Sequence, residues 1–480
     1  MNHRYLTAAL LAIVASNIEA QKEPQSPRLL VNITIDQLTT ECIEAYHSYF
    51  GTNGFKQLME QGIVYQNITY PFEPTDRSSA IASLMTGTTP YYNGIIANRW
   101  LNKKTLQQMG CTDDPSCDGV YTTDKASATH LQTSTITDEL KIATEGKAIV
   151  YGIAKQKDAA ILSAGHAADG ALWKDSYNGQ WCSTNYYLKK IPEWLTEFNA
   201  TSSETKKSTE FQQITELTNL AVLCIEKTGM GTDNVCDMLN ITLDASTPIT
   251  KKSTNWQSDQ TQTYINLDRQ LADLIATIQS KVGEPNVVFF ITSTGYVEEP
   301  LPQQNYRIPT GNVYINRVAS LLNMYLGALH GSDKYVEGCT RNQIYLNHDL
   351  LEKKRFRLSD ILTESQAFLL QCDGIRKAHT LESLLISGQT DLSKKRGGMN
   401  AANGGDISVE IAPGWQLINE ETHEHFLCDA RPVKFPLIIF QAGIRPQKIL
   451  TPVTTDRIAP TIANTIHIRA PNACTANALY

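Results

Sequence analysis

The 480-residue chain has no block of like charge, no internal repeat and no low-complexity tract. Acidic and basic residues are interspersed and the formal net charge is −7, so the basic surface needed to bind nucleic acid or an anionic membrane is missing. Past the N-terminus no apolar run is long enough to span a bilayer, and no transmembrane segment is expected. There is no glycine-rich phosphate loop, zincin helix or kinase signature. The chain also lacks a CxxC pair or a Cys/His cluster, which argues against a structural zinc site. What is present, 41% hydrophobic and 19% charged residues, describes a globular chain with ample length for a core.

Met1 to Ala20 holds Arg4, the apolar run Tyr5–Ala15 and the small residue Ala20. This pattern reads as a secretory signal, with residues 21–27 a polar linker and the rest exported, periplasmic or secreted. Ten cysteines in an exported chain permit disulfides, and Cys111 and Cys117 are spaced to close a small loop. Sequons begin at Asn32, Asn67, Asn199 and Asn240. Most sit in or beside strand-like runs and read as chance matches.

The stretch Tyr70 to Gly87 organises the rest. It follows the β-like run Ile63–Thr69, breaks at Pro71 and Pro74, and resumes as a small-residue helix that Ser78 or Ser79 can cap and Gly87 can end. A strand–loop–helix junction points free backbone N–H groups at one place, which suits an anion or a nucleophile. Arg77 stands at that turn, and a guanidinium is no nucleophile. Leu29–Ile35 is a buried-strand run ending in Asp36, and a helix separates it from Ile63–Thr69, a βαβ-type opening that predicts a largely parallel sheet. Further strands are expected at Ala148–Ala154, Met238–Leu243, Val287–Ser293 and Pro436–Gln441. A long helix is expected from about Thr261 to Val282, with Tyr264, Leu267, Leu271, Leu274, Ile275 and Ile278 at spacings of three and four. Asp36 and the Arg77 loop would then meet beyond the carboxyl ends of the strands. Polar, aromatic-rich stretches at about 171–207 and 301–405 break the alternation and are expected to be insertions capping the site.

Several separate stretches carry a resemblance: Ile35-Asp36-Gln37, Ala82 to Gly87, Thr135 to Leu140, Ala160 to Asp169, Leu267 to Asp273, Asn342 to Asn347 and Ile458 to Thr461. From Arg28 onward the chain resembles the alkaline phosphatase superfamily, in particular its phosphodiesterase/nucleotide pyrophosphatase branch and bacterial periplasmic alkaline phosphatases with a threonine nucleophile. The resemblance implies one α/β domain over residues 28–480, a three-layer sandwich with a mostly parallel central sheet flanked by helices and inserted cap segments. It also implies two zinc ions held by three aspartates and three histidines, beside a threonine that attacks phosphorus.

Carried over residue by residue, that site is mostly gone. Asp36 matches the first aspartate ligand and His425 the last histidine. Arg77 takes the nucleophile position, while Thr247, Lys251 and Thr294 stand where further ligands are expected. Asn98 matches a phosphate-contacting asparagine. The Lys-x-Arg phosphate clamp falls at Gln156 and Asp158, unless Lys155 or Lys157 fills its place. Two ligands cannot hold a zinc ion that needs four, or three and a water. With Arg77 and Lys251 counted against Asp36, the pocket keeps the net charge of about +1 of a two-metal site. Two cations thus stand in for two metals and keep Asp36 paired. The expectation is a catalytically degenerate protein without a cofactor, binding an anionic small molecule or an envelope protein. The alternative is an active phosphatase or phosphodiesterase with a zinc site rebuilt from Asp36, His423, His425 and Asp244. His166 and Asp169 read as structural.

Overall fold

The computed structural model describes residues 26–202, 210–246, 256–296, 311–386, 390–427 and 433–480. The expected secretory signal, Thr247 and Lys251 lie outside them. At the centre is an eleven-stranded sheet. From one edge its main path runs Gln447–Ile449, Ile63–Thr69, Phe435–Gln441, Val287–Ser293, Leu29–Asp36, Asp237–Asp244, Val150–Ala154, Gly170–Lys174, Trp181–Thr184 and Gly119–Val120. The five strands from Val287–Ser293 to Gly170–Lys174 are parallel. Phe435–Gln441 is antiparallel to both its neighbours, so the first two strands of the chain share a direction without touching.

The first strand is buried along its whole length, as a strand covered by helices on both faces must be. Leu29, Val31, Ile33 and Ile35 join the core on one face, under the helices Thr40–Tyr46, Phe55–Gln61, Glu210–Thr228 and Trp256–Val282. Leu30 joins the opposite core, under Arg77–Thr86, Ile136–Ala143, Lys157–Ala164 and Ile458–Thr465. The fold is therefore the expected α/β sandwich with helices on both sides of the sheet. All six apolar positions expected to repeat along the long helix are buried; the helix begins at Trp256.

Two expected insertions behave differently. Residues 170–184, in the first, extend the central sheet by two strands, Gly170–Lys174 and Trp181–Thr184. Trp173 and Trp181 there are buried, because large aromatic side chains in a polar-looking stretch still need a core. The second is a separate cap: a four-stranded sheet (Val336–Thr340, Gln343–Leu346, Ile407–Ile411, Ile375–Thr380) and a three-stranded sheet (Gly311–Tyr314, Trp415–Asn419, Glu424–Leu427). It has its own core around Leu322, Ile344, Leu369 and Val409, and reaches Leu427.

The disulfide expectation is corrected. All nine described cysteines are free. Cys117 meets Asp114 Oδ2 at 3.4 Å, and Cys111 meets Asn98 Oδ1 at 3.9 Å. The sequon reading has a structural basis. Asn32 and Asn240 are buried on adjacent strands and hydrogen-bond each other at 3.0 Å, while Asn199 is buried against the backbone of Trp181.

Candidate functional site: a closed ion-pair corner beneath a capped cavity

Parallel strands end together, so residues far apart in sequence meet at one edge of the sheet. Asp36 and Asp244 lie in register at the ends of adjacent strands, and Ile35 pairs with Ser293 just before Thr294. Side chains alternate along a strand. Asp36 therefore points to the face of Leu30 and Asn32, and Asn32 touches Met85 on the helix that Arg77 begins. The same alternation delivers Asp36 to Arg77.

The helix Arg77–Thr86 is capped by Asp76, not by a serine as expected. Asp76 Oδ1 accepts the Ser79 backbone N–H at 2.9 Å, and the Asp76 N–H donates to Ser79 Oγ at 3.0 Å, completing a capping box. Asp76 Oδ2 accepts from the Asn98 N–H at 2.8 Å and from Arg341 Nη1 at 3.0 Å. One carboxylate thus ties the helix start to a loop and to the cap.

Arg77 has two carboxylate partners. Its Nε and Nη2 donate to Asp158 Oδ2 and Oδ1, both at 3.0 Å, a bidentate pair. Its Nη1 lies 3.6 Å from Asp36 Oδ2. Asp158 sits in the first turn of the helix Lys157–Ala164, which follows the strand Val150–Ala154. It also accepts from the Ser78 hydroxyl at 2.7 Å. Asp36 accepts from the Thr294 hydroxyl at 2.6 Å and from the Tyr296 hydroxyl at 3.3 Å.

Burial and these partners set the ionisation of the corner. Burial pushes Asp36 up, the Arg77 charge opposes it, and nearby Asp244 adds to the rise; the result is about 7. Burial would also raise Asp158, but the charge and hydrogen bonds of Arg77, with the Ser78 hydroxyl, hold it below the usual carboxylate range. Arg77 is disfavoured by burial, yet Asp158 and then Asp36 strengthen its hold on the proton. The expected charge tally counted Lys251, which lies outside the described residues; the corner that the described residues form holds one cation, Arg77, in contact with two carboxylic groups, Asp36 and Asp158. Asp158 was expected only as the place of a lost phosphate clamp, and its pairing with Arg77 was missed. Its signal was present, an acidic residue in the first turn after a strand ending at the same edge as Asp36.

Above this corner lies a cavity of about 810 Å³ between sheet edge and cap. Arg77, Asn98 and Tyr296 line its base; Arg341, Arg376, His379, Lys394 and His425 line it from the cap. Gly295 also lines it, at φ +66, where a Cβ would stand 2.3 Å from the Phe435 ring. Of the expected positions, Arg77, Asn98 and His425 therefore share one cavity. Thr294 is buried and spent on Asp36. Lys157 is engaged by Asp124 at 3.2 Å and Asp113 at 3.4 Å. His166 pairs with Asp138 at 2.8 Å and Asp169 with Lys141 at 2.9 Å, structural roles both.

The described residues do not assemble the zinc centre that the fold implies. Asp36 is covered by a guanidinium and two hydroxyls. His425 is exposed on the strand Glu424–Leu427 and no ion pair or hydrogen bond joins it to Asp36; His423 lies in the preceding turn at φ 56. Among the described residues no three His, Cys, Asp or Glu side chains converge to hold a metal ion. The rebuilt site from Asp36, His423, His425 and Asp244 is thus not assembled.

Comparison with known proteins gives the lineage. The type I phosphodiesterase / nucleotide pyrophosphatase family model matches residues 30–432. The chain is 25% identical to the alkaline phosphatase PafA of Elizabethkingia meningoseptica, across 96% of this chain and 95% of that one. It is 22% identical to the alkaline phosphatase PhoV of Synechococcus elongatus, across 98% of each. The crystal structure of wild-type PafA superposes with a TM-score of 0.82 at 23% identity, covering 95% of this chain and 98% of that one. The chain belongs to the type I phosphodiesterase / nucleotide pyrophosphatase family, within the alkaline phosphatase superfamily.

Proposed function

We propose that this protein does not hydrolyse phosphoric esters, and that it acts by binding an anionic small molecule in the cavity beneath its cap. The observation that supports this reading is the bidentate Arg77–Asp158 pair, which occupies the position expected for the nucleophile. A guanidinium cannot attack phosphorus. Ser78 is no substitute: it is fully buried, and its hydrogen-bond partner Asp158 has its pKa held down, which makes it a poor base. With no cluster of metal ligands among the described residues, these leave no group in the corner to lower a nucleophile's pKa or stabilise a leaving oxygen. The Met1–Ala20 segment supports export of the mature chain to the periplasm or beyond.

The test is hydrolysis of a chromogenic phosphate monoester and diester, together with metal content after purification without added zinc. No turnover above blank, even with zinc supplied, is expected. The names of the PafA and PhoV relatives favour a second reading, an active phosphatase. Near-stoichiometric zinc with metal-dependent turnover would select it.

A further inference from the structure

An anion-binding cavity need not use the family's catalytic corner, and here the corner is poorly suited. Arg77 already faces two carboxylic groups. Arg341 is held by Asp76 Oδ2 at 3.0 Å and by the Thr75 carbonyl at 3.3 Å. A new anion would have to displace partners already in place, or share them.

The cap wall is different. On the strand Ile375–Thr380, Arg376 is exposed to the cavity and has no carboxylate partner among the described residues. Three residues on, His379 Nε2 meets Glu410 Oε1 at 3.0 Å. Glu410 in turn binds the Lys395 amino group. The neighbouring Lys394, from the helix Thr390–Gly397, reaches only Glu73, at 4.0 Å. On this sheet the Glu410 carboxylate is thus occupied, paired with Lys395 and hydrogen-bonded to His379. Arg376 and Lys394 are left as the loosely held cations. Apolar side chains, among them Phe72, Leu384 and Leu417, line the same cavity.

The wall also carries a negative group. Glu424 lines the cavity from the three-stranded sheet, and among the described residues its carboxylate accepts only from the Thr422 hydroxyl, at 2.8 Å. It opposes an anion on the His425 strand and favours the four-stranded sheet that carries Arg376.

Resting on the binding reading above, the geometry points to Arg376 and Lys394 as the seat of the ligand's anionic group. The ligand class is an organic anion with one charged head and an apolar or aromatic body, the head on the cap and the body toward the apolar wall. Charge-assisted contacts of this kind supply specificity only where the cation is not already satisfied.

The experiment is calorimetric titration of the full chain with 4-nitrophenyl phosphate, and with inorganic phosphate and 4-nitrophenol separately. The intact ester is expected to bind more tightly than either half, and more weakly as salt is raised. Arg376→Ala and Lys394→Gln are each expected to weaken binding about tenfold. Glu424→Gln is expected to tighten it about twofold to threefold, and Lys377→Ala, on the same strand but outside the cavity lining, to leave it unchanged. No measurable binding of the ester, or binding unchanged in both the Arg376 and Lys394 variants, would overturn the assignment. Release of 4-nitrophenolate in the presence of zinc would instead overturn the non-hydrolytic reading, so the two failures are distinguishable.

Discussion

Two groups of positive charge face one cavity, and they are held differently. At the sheet edge Arg77 is gripped by Asp158 and faces Asp36, with hydroxyls filling the remaining hydrogen-bonding positions. On the cap, Arg376 is exposed with no carboxylate partner among the described residues, and Lys394 stands 4.0 Å from Glu73. Burial decides the difference. A charge removed from water must be matched by its own fold or it cannot be kept, and once matched it has little left for a ligand. A cation at the mouth of a cavity keeps its water and can exchange it for an anion.

That contrast is most directly broken at Asp158. Asp158→Ala leaves Arg77 only the looser contact to Asp36, and a loss of about 3 kcal/mol in unfolding free energy is expected by denaturant titration. Arg77→Met in the same background should recover part of that loss, because the unmatched cation is gone. A double-mutant cycle should give a coupling of about 1–3 kcal/mol. A cycle near zero would mean that the pair does not hold the corner together.

Asp36 sharpens the comparison through pH. Its pKa of about 7 lies above the ordinary value of 3.8. Between those values the folded chain keeps a proton that the unfolded chain has released, so stability from this group falls as pH rises through that window. Asp36→Asn cannot ionise. Relative to the parent, its stability should improve on going from pH 4 to pH 8 by on the order of 3 kcal/mol. A flat difference across that range would show that Asp36 is ionised throughout.

Asp76→Ala removes the capping box and the anchor of Arg341, and should cost about 1 kcal/mol. The effect should be larger than that of Ser79→Ala, which loses only the reciprocal half. The smallest effect expected is on chemistry: Arg77→Thr restores the hydroxyl, but the ligand positions remain unfilled. Hydrolysis of phosphate mono- and diesters should stay at blank. Activity regained by that single change would place a working metal site in this protein and undo the contrast between corner and cap.

The layers of the fold were legible because periodicity is a local signal. Leu29–Asp36 and Val287–Ser293 read as buried strands, and the repeat from Tyr264 to Ile278 read as a helix, before any contact was known. The substitution at Arg77 was equally plain, since one residue type either can or cannot be a nucleophile. What misled was composition. Residues 170–184 looked like an insertion because polar turns surround Trp173 and Trp181, which are core residues of the sheet's far edge. The capping residue was misplaced by two or three positions, because an aspartate before the helix competes with the serines inside it.

The sequence by itself determined the sandwich, the lineage and the arginine at the turn, all of which follow from residue identity and short-range spacing. Only the tertiary structure decided that Arg77 belongs chiefly to Asp158, that burial pushes the Asp36 carboxyl up, and that Arg376 faces the cavity without a carboxylate partner among the described residues. Electrostatic partners and burial depend on which strand ends and helix starts meet in space. Those meetings join residues eighty and more positions apart, a distance over which no local pattern carries information.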